Sequence, residues 1–162
     1  MEYDNNYLLP GGRCYQKDGE RLEQAIYNCL PDQIKEKTLT NLKPTNNGNI
    51  IIEYDMIYFN NNNNTIISFE IKGLNQKTCN SVFRQKKLLT QVQKQKTFLE
   101  SNIKKKDLTI TCVLCFVTGN YNTQISQSFI DSLRKYCIVA IGKSPNNTIK
   151  CAIKQLTNLN LL

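Results

Sequence analysis

The chain has 162 residues, 40% of them hydrophobic, which is enough for one domain with a sizeable core and too few to suggest two. Its 21 Lys and Arg against 13 Asp and Glu give a net charge of +8, a balance that draws a protein toward polyanions such as nucleic acid. No run of about 18 apolar residues is present, and the N-terminus lacks a basic start followed by an apolar segment, so a soluble, intracellular protein is expected.

In chain order, LPGGRC at 9–14 reads as a turn. Behind Asp18, a candidate N-cap, Leu22, Ala25, Ile26, Cys29 and Leu30 recur at helical spacing until Pro31, predicting a first helix over 18–30. A polar connection rich in Asn, Lys and Pro follows. Two runs rich in β-branched and aromatic residues then flank the asparagines at 60–64, predicting a β-hairpin. Over 80–103, Val82, Leu89, Val92, Leu99 and Ile103 form one stripe of a long amphipathic helix otherwise covered by Lys and Gln. The apolar run 108–117 suits a central strand buried on both faces, and a helix over 124–136 and a strand over 136–142 complete the pattern.

The order is therefore α-β-β-α-β-α-β. A strand, a crossover helix and a strand favour a parallel pair between 66–72 and 108–117, and hence an α/β fold with a mixed β-sheet flanked by helices. A single domain spans 1–162, with its core at about 15–142.

Seven cysteines at irregular spacing, mostly within apolar runs, read as small buried hydrophobes in a reducing compartment. On a strand, Cys112 and Cys115 would point to opposite faces and could not chelate one ion. With no histidine in the chain, Ser/His and Cys/His catalytic pairs are excluded, and no phosphate-binding glycine motif is present.

The hairpin carries the chemistry. Closed symmetrically about the asparagines, it sets positions summing to 125 opposite each other, so Asp55 faces Glu70 and Glu53 faces Lys72. Cross-strand partners have Cβ atoms roughly 5 Å apart, and like charges there are destabilising unless something compensates. A divalent cation would compensate, and Glu53, Asp55, Glu70 and Lys72 would then form one polar patch. The alternative is a solvated face with an ordinary Glu53–Lys72 ion pair, which leaves Asp55 opposite Glu70 unexplained.

An acidic residue in a first helix (Glu23), an Asp on a strand (Asp55 in EYDMIY) and a Glu-x-Lys on the next strand (Glu70 and Lys72 in FEIKG) resemble the signature of the PD-(D/E)xK nuclease superfamily, the restriction-endonuclease-like fold. The resemblance spans about residues 15–142. Tyr54 stands where many members have Pro, and no histidine is available for the cap-snatching branch.

The resemblance implies a metal-dependent nuclease that hydrolyses phosphodiester bonds, with DNA favoured over RNA. Mg²⁺ or Mn²⁺ would be held by Asp55, Glu70 and the backbone carbonyl of Ile71. Lys72 would position the attacking water, and Glu23 would hold a second metal or orient Lys72. A glutamine from the following helix reaches the site in similar nucleases. Gln91 is the candidate, with Gln95 one turn on; otherwise both are solvated. Lys77, Arg84, Lys87 and Lys94, with Lys86 and Lys96, could track a phosphate backbone or simply form a solvated face. The other reading is a nuclease-fold protein that binds nucleic acid or a protein partner without cutting. A homodimer is compatible with either.

Overall fold

The computed structural model describes residues 15–73, 82–119 and 125–162. The turn predicted at 9–14, Cys14, Lys77 and Cys79 lie outside these described residues.

The order is α1 (Tyr15–Asn28), α2 (Asp32–Lys35), β1 (Thr38–Leu42), β2 (Thr45–Asn46), β3 (Asn49–Ile50), β4 (Tyr54–Asn60), β5 (Thr65–Gly73), α3 (Val82–Asn102), β6 (Thr109–Val117), α4 (Gln127–Arg134), β7 (Ile138–Gly142) and α5 (Pro145–Asn158). Five strands form one sheet in the order β1-β4-β5-β6-β7, while β2 and β3 make a separate small ribbon. β1, β4 and β5 are antiparallel neighbours, and β5, β6 and β7 are parallel. The fold is thus mixed α/β, a mixed sheet flanked by helices.

The predicted hairpin is present with its predicted register. β4 and β5 pair from Asn60↔Thr65 to Met56↔Phe69, every pair summing to 125. The asparagines close it because Asn tolerates the left-handed conformation that Asn64 adopts at φ 51°, and because Asn60 Oδ1 accepts from the Asn62 N–H at 3.1 Å. The parallel β5–β6 pairing runs from Thr65↔Thr109 to Gly73↔Val117.

Helices cover both faces of the sheet. On one, Leu22 and Ile26 of α1, Ile34 of α2, and Ile149, Ala152 and Leu156 of α5 pack on Met56, Phe69, Ile71 and Cys115. On the other, Leu88 and Val92 of α3 and Ile130 and Leu133 of α4 pack on Cys112, Leu114 and Phe116, while Leu99 of α3 packs on Tyr54, Ile57 and Ile66. Each fully buried Ile, Leu, Val, Met or Phe among them stabilises by about 1.5–3 kcal/mol relative to leaving it in water. Cys112 and Cys115 indeed fall on opposite faces.

Several expectations require correction. The chain is already helical at Tyr15, so Asp18 lies inside α1 and is not its N-cap. The connection after Pro31 contains α2, the edge strand β1 and the β2–β3 ribbon. The sheet-facing stripe of α3 is Leu88, Val92, Gln95 and Leu99; Val82 is exposed and Leu89 only partly buried. The C-terminal helix α5 was absent from the expected order. Ser144 caps it, accepting from the Asn147 N–H at 3.2 Å, and Pro145 begins it. α5 sits so close to β7 that a Cβ at Gly142 would come 2.5 Å from the Thr148 nitrogen.

Candidate active site

The sheet is interrupted at Asp55. In the β1–β4 register Asn41 stands across from Asp55, but its φ of 54° takes it out of extended geometry and the pairing skips that step. On the other side, the β4–β5 ladder has ended one residue earlier at Met56↔Phe69. Strict alternation fails here as well, since Tyr54 and Ile57, three residues apart, pack in the same cluster against α3. Asp55 Oδ2 occupies the break by accepting from the Ile71 main-chain N–H at 2.7 Å. A cavity of about 260 Å³ lined by Glu23, Gln24, Thr40 and Asn41 opens beside Asn41.

Glu70 lies on β5 and is 4% exposed. Such a carboxylate is tolerated only when well partnered. Its Oε1 accepts from Gln91 Nε2 at 2.7 Å and sits 2.7 Å from Lys72 Nζ. Its Oε2 accepts from Gln95 Nε2, also at 2.7 Å. Gln95, itself buried, gives its other N–H to the Glu53 carbonyl at 2.8 Å, and the Tyr54 hydroxyl donates to the Gln95 main-chain carbonyl at 2.9 Å. Two glutamines from α3 and one lysine from β5 therefore fix the carboxylate in place.

Burial pushes the Asp55 carboxyl up to about 8, the Glu70 and Glu23 charges adding to it, against the Ile71 N–H and the Lys72 ammonium, which lower it. Burial alone would lower Lys72, but the Glu70 charge and hydrogen bond, with Asp55 and Glu23, carry it above the ordinary lysine value. Three carboxylates thus act on one cation, and the two nearest the sheet are in electrostatic conflict with each other.

The structure brings Asp55, Glu70, Lys72 and Gln91 together, with Gln95 beside them, and Glu23 acts on Asp55 and Lys72 electrostatically from α1. Glu53 is not part of the patch. Its exposed carboxylate lies 3.9 Å from Lys43, and only its carbonyl touches the network, because the strands part before the register reaches Glu53 and Lys72. Gln95, named beside Gln91 as the glutamine one turn on, also stands out as a polar residue falling between Val92 and Leu99 on an apolar stripe. Tyr54 reads as an ordinary core aromatic and carries no comparable signal.

Among the described residues, no three His, Cys, Asp or Glu side chains converge closely enough to hold a metal ion by themselves. Mg²⁺ needs no such set, since it is usually held by one or two carboxylates plus water and phosphate. Asp55 and Glu70 are two carboxylates within electrostatic reach of each other. Among the described residues a single hydrogen bond reaches the Asp55 carboxylate, and its raised pKa marks a place where a cation would be welcome. Carboxylate oxygens are hard donors of the kind that suit Mg²⁺ or Mn²⁺.

Next to Gln91, α3 and the segment before β4 enclose a groove of about 840 Å³ whose walls include Lys86, Lys87, Lys94, Phe83, Ile51 and Ile52. Of the other basic residues considered, Lys96 lies 3.9 Å from Glu100, and Arg84 is exposed on α3 without lining the groove. No helix among the described residues is long and apolar enough to cross a membrane. In comparisons with known proteins, the chain matches no family model and no curated protein.

Proposed function

We propose that this protein is a metal-dependent nuclease of the PD-(D/E)xK type, hydrolysing phosphodiester bonds of nucleic acid, with DNA the favoured polymer. The observation that carries the reading is the pairing of a buried, glutamine-braced Glu70 with Lys72 on one strand and with a destabilised Asp55 at the break in the next. An antiparallel β4–β5 hairpin followed by α3 and by a β6 that pairs parallel with β5 is an arrangement restriction-endonuclease-like cores share, and it supports the same reading.

Asp55, Glu70 and the Ile71 carbonyl would hold the ion. When bound, it supplies Lewis-acid polarisation of the phosphate and a water of lowered pKa. The chain's own residues do the rest. Lys72, a third exposed, keeps its proton and presents a cation where negative charge builds on the phosphoryl oxygens. Gln91 and Gln95 hold Glu70 in one orientation, and Glu23 reinforces the positive charge of Lys72.

One observation favours a second reading, a nuclease-fold protein that binds without cutting. Glu70 already has three donors, so a cation must compete with Lys72 for the carboxylate. Incubation with supercoiled, linear and single-stranded DNA and with RNA, in Mg²⁺, Mn²⁺ or EDTA, separates the two. Metal-dependent cleavage of any substrate is expected; binding without cleavage supports the second reading.

A further inference from the structure

Phe83, in the first turn of α3, is 77% exposed, the most exposed large hydrophobic side chain among the described residues. Among the described residues it belongs to none of the hydrophobic core clusters. It lines the groove with Ile51, itself 54% exposed, and with Lys86, Lys87 and Lys94. None of these lysines takes part in an ion pair among the described residues, and all three are exposed. The one acidic wall residue, Glu53, is drawn toward Lys43 at 3.9 Å. Gln91, eight residues and roughly 12 Å along the helix from Phe83, both lines the groove and hydrogen-bonds Glu70, which links the groove wall to the candidate active site.

We propose that this groove takes single-stranded nucleic acid, with an unpaired base stacked on Phe83 and phosphates running past Lys86, Lys87 and Lys94 toward Lys72. The charge of the walls selects a polyanion, and the bare ring selects one with free base faces. Bases in a duplex are already stacked on one another, so an exposed aromatic gains nothing from them. The inference deepens the nuclease reading, resting on it for the fate of the strand at Glu70 and Lys72; the binding itself needs no catalysis.

The test is fluorescence anisotropy in EDTA with a labelled oligothymidylate of about 12 nucleotides and a duplex of the same length. Wild-type protein is expected to prefer the single strand, Phe83→Ala to weaken that binding by ~10-fold or more, and Phe83→Trp to retain it. Because the side chain is exposed, neither change should alter the thermal midpoint. Equal affinity for both probes, or a Phe83→Ala variant that binds the single strand as wild type does, overturns the proposal, as does a groove that binds neither probe and so serves a protein partner. Cleavage in Mg²⁺ or Mn²⁺ is read separately. If Lys72→Ala is inactive but Phe83→Ala binds and cuts as wild type does, the nuclease stands and the platform falls. If wild type binds the single strand through Phe83 but never cuts, the platform stands and the nuclease falls.

Discussion

Asp55 Oδ2 accepts the Ile71 main-chain N–H at 2.7 Å, one step beyond the last pair of the β4–β5 ladder. A side chain thus satisfies a strand amide at the place where the strands separate. The price is a carboxyl group partly withdrawn from water in the field of the Glu70 and Glu23 charges.

Asp55 should make the metal-free protein less stable as pH rises. Its carboxyl group titrates near 8 in the folded state and near the ordinary ~4 in the unfolded state, so between those values the native state binds more protons. Its stabilising contribution is complete below about pH 4 and lost as pH rises through about 8. Urea unfolding in EDTA should give a lower midpoint at high pH than at low pH. Asp55→Asn keeps an oxygen for the Ile71 N–H, relieves the repulsion, and should raise stability at high pH and flatten the profile. An Asp55→Asn protein less stable than wild type at high pH in EDTA would show that the carboxylates are not in conflict.

Gln95 should be the costliest polar side chain to remove. It gives both N–H groups to buried acceptors, Glu70 Oε2 and the Glu53 carbonyl. Gln95→Ala leaves both short of a donor and opens a cavity, which should destabilise by about 3 kcal/mol or more. Gln95→Glu keeps the shape but sets a second carboxylate against Glu70, so the loss should be largest at neutral pH and partly recovered on acidification. Denaturant titrations of both variants read this directly; a loss under about 0.5 kcal/mol, the size of an ordinary surface change, would mean that Glu70 does not depend on it.

Binding to nucleic acid should persist in EDTA and weaken steeply with salt. Lys87→Ala and Lys94→Ala should each lower the slope of log affinity against log salt by roughly 0.7–0.9, the effect of one lost phosphate contact. Salt-insensitive binding would point to a protein partner.

How far these features could be read from the chain depended on where local pattern controls structure. The hairpin register was legible because a run of asparagines must turn and the apolar residues on either side then fix which positions meet. That register brought Asp55 and Glu70 into one neighbourhood, and the same reasoning failed for Glu53 and Lys72 because nothing local announces that Asn41 will leave the strand or that the ladder will stop. β1 was hidden because an edge strand with Leu39 and its neighbours facing solvent has no continuous apolar signature. α5 carried a readable signal in Ser144, Pro145 and the spacing of Ile149, Ala152 and Leu156. Gln91 was picked out of the many glutamines of α3 through the family resemblance, since pattern alone does not show that Glu70 is its partner.

Cation binding should separate the roles of the site residues. Calorimetric titration with Mn²⁺ should show binding to wild type that survives Lys72→Ala, which removes a competitor for Glu70, and is lost in Asp55→Asn, which removes a charged ligand. Equal binding by wild type and Asp55→Asn would place the ion elsewhere.

The most direct measurement is the rate of nucleic-acid cleavage in Mg²⁺ or Mn²⁺ by wild type and Lys72→Ala, with EDTA as control. The account predicts cleavage by wild type that EDTA abolishes, and a drop of ~10²-fold or more in Lys72→Ala, the scale of losing one electrostatic stabiliser of the transition state. No cleavage of any DNA or RNA substrate by wild type, or a Lys72→Ala protein that cuts as fast as wild type, would contradict it.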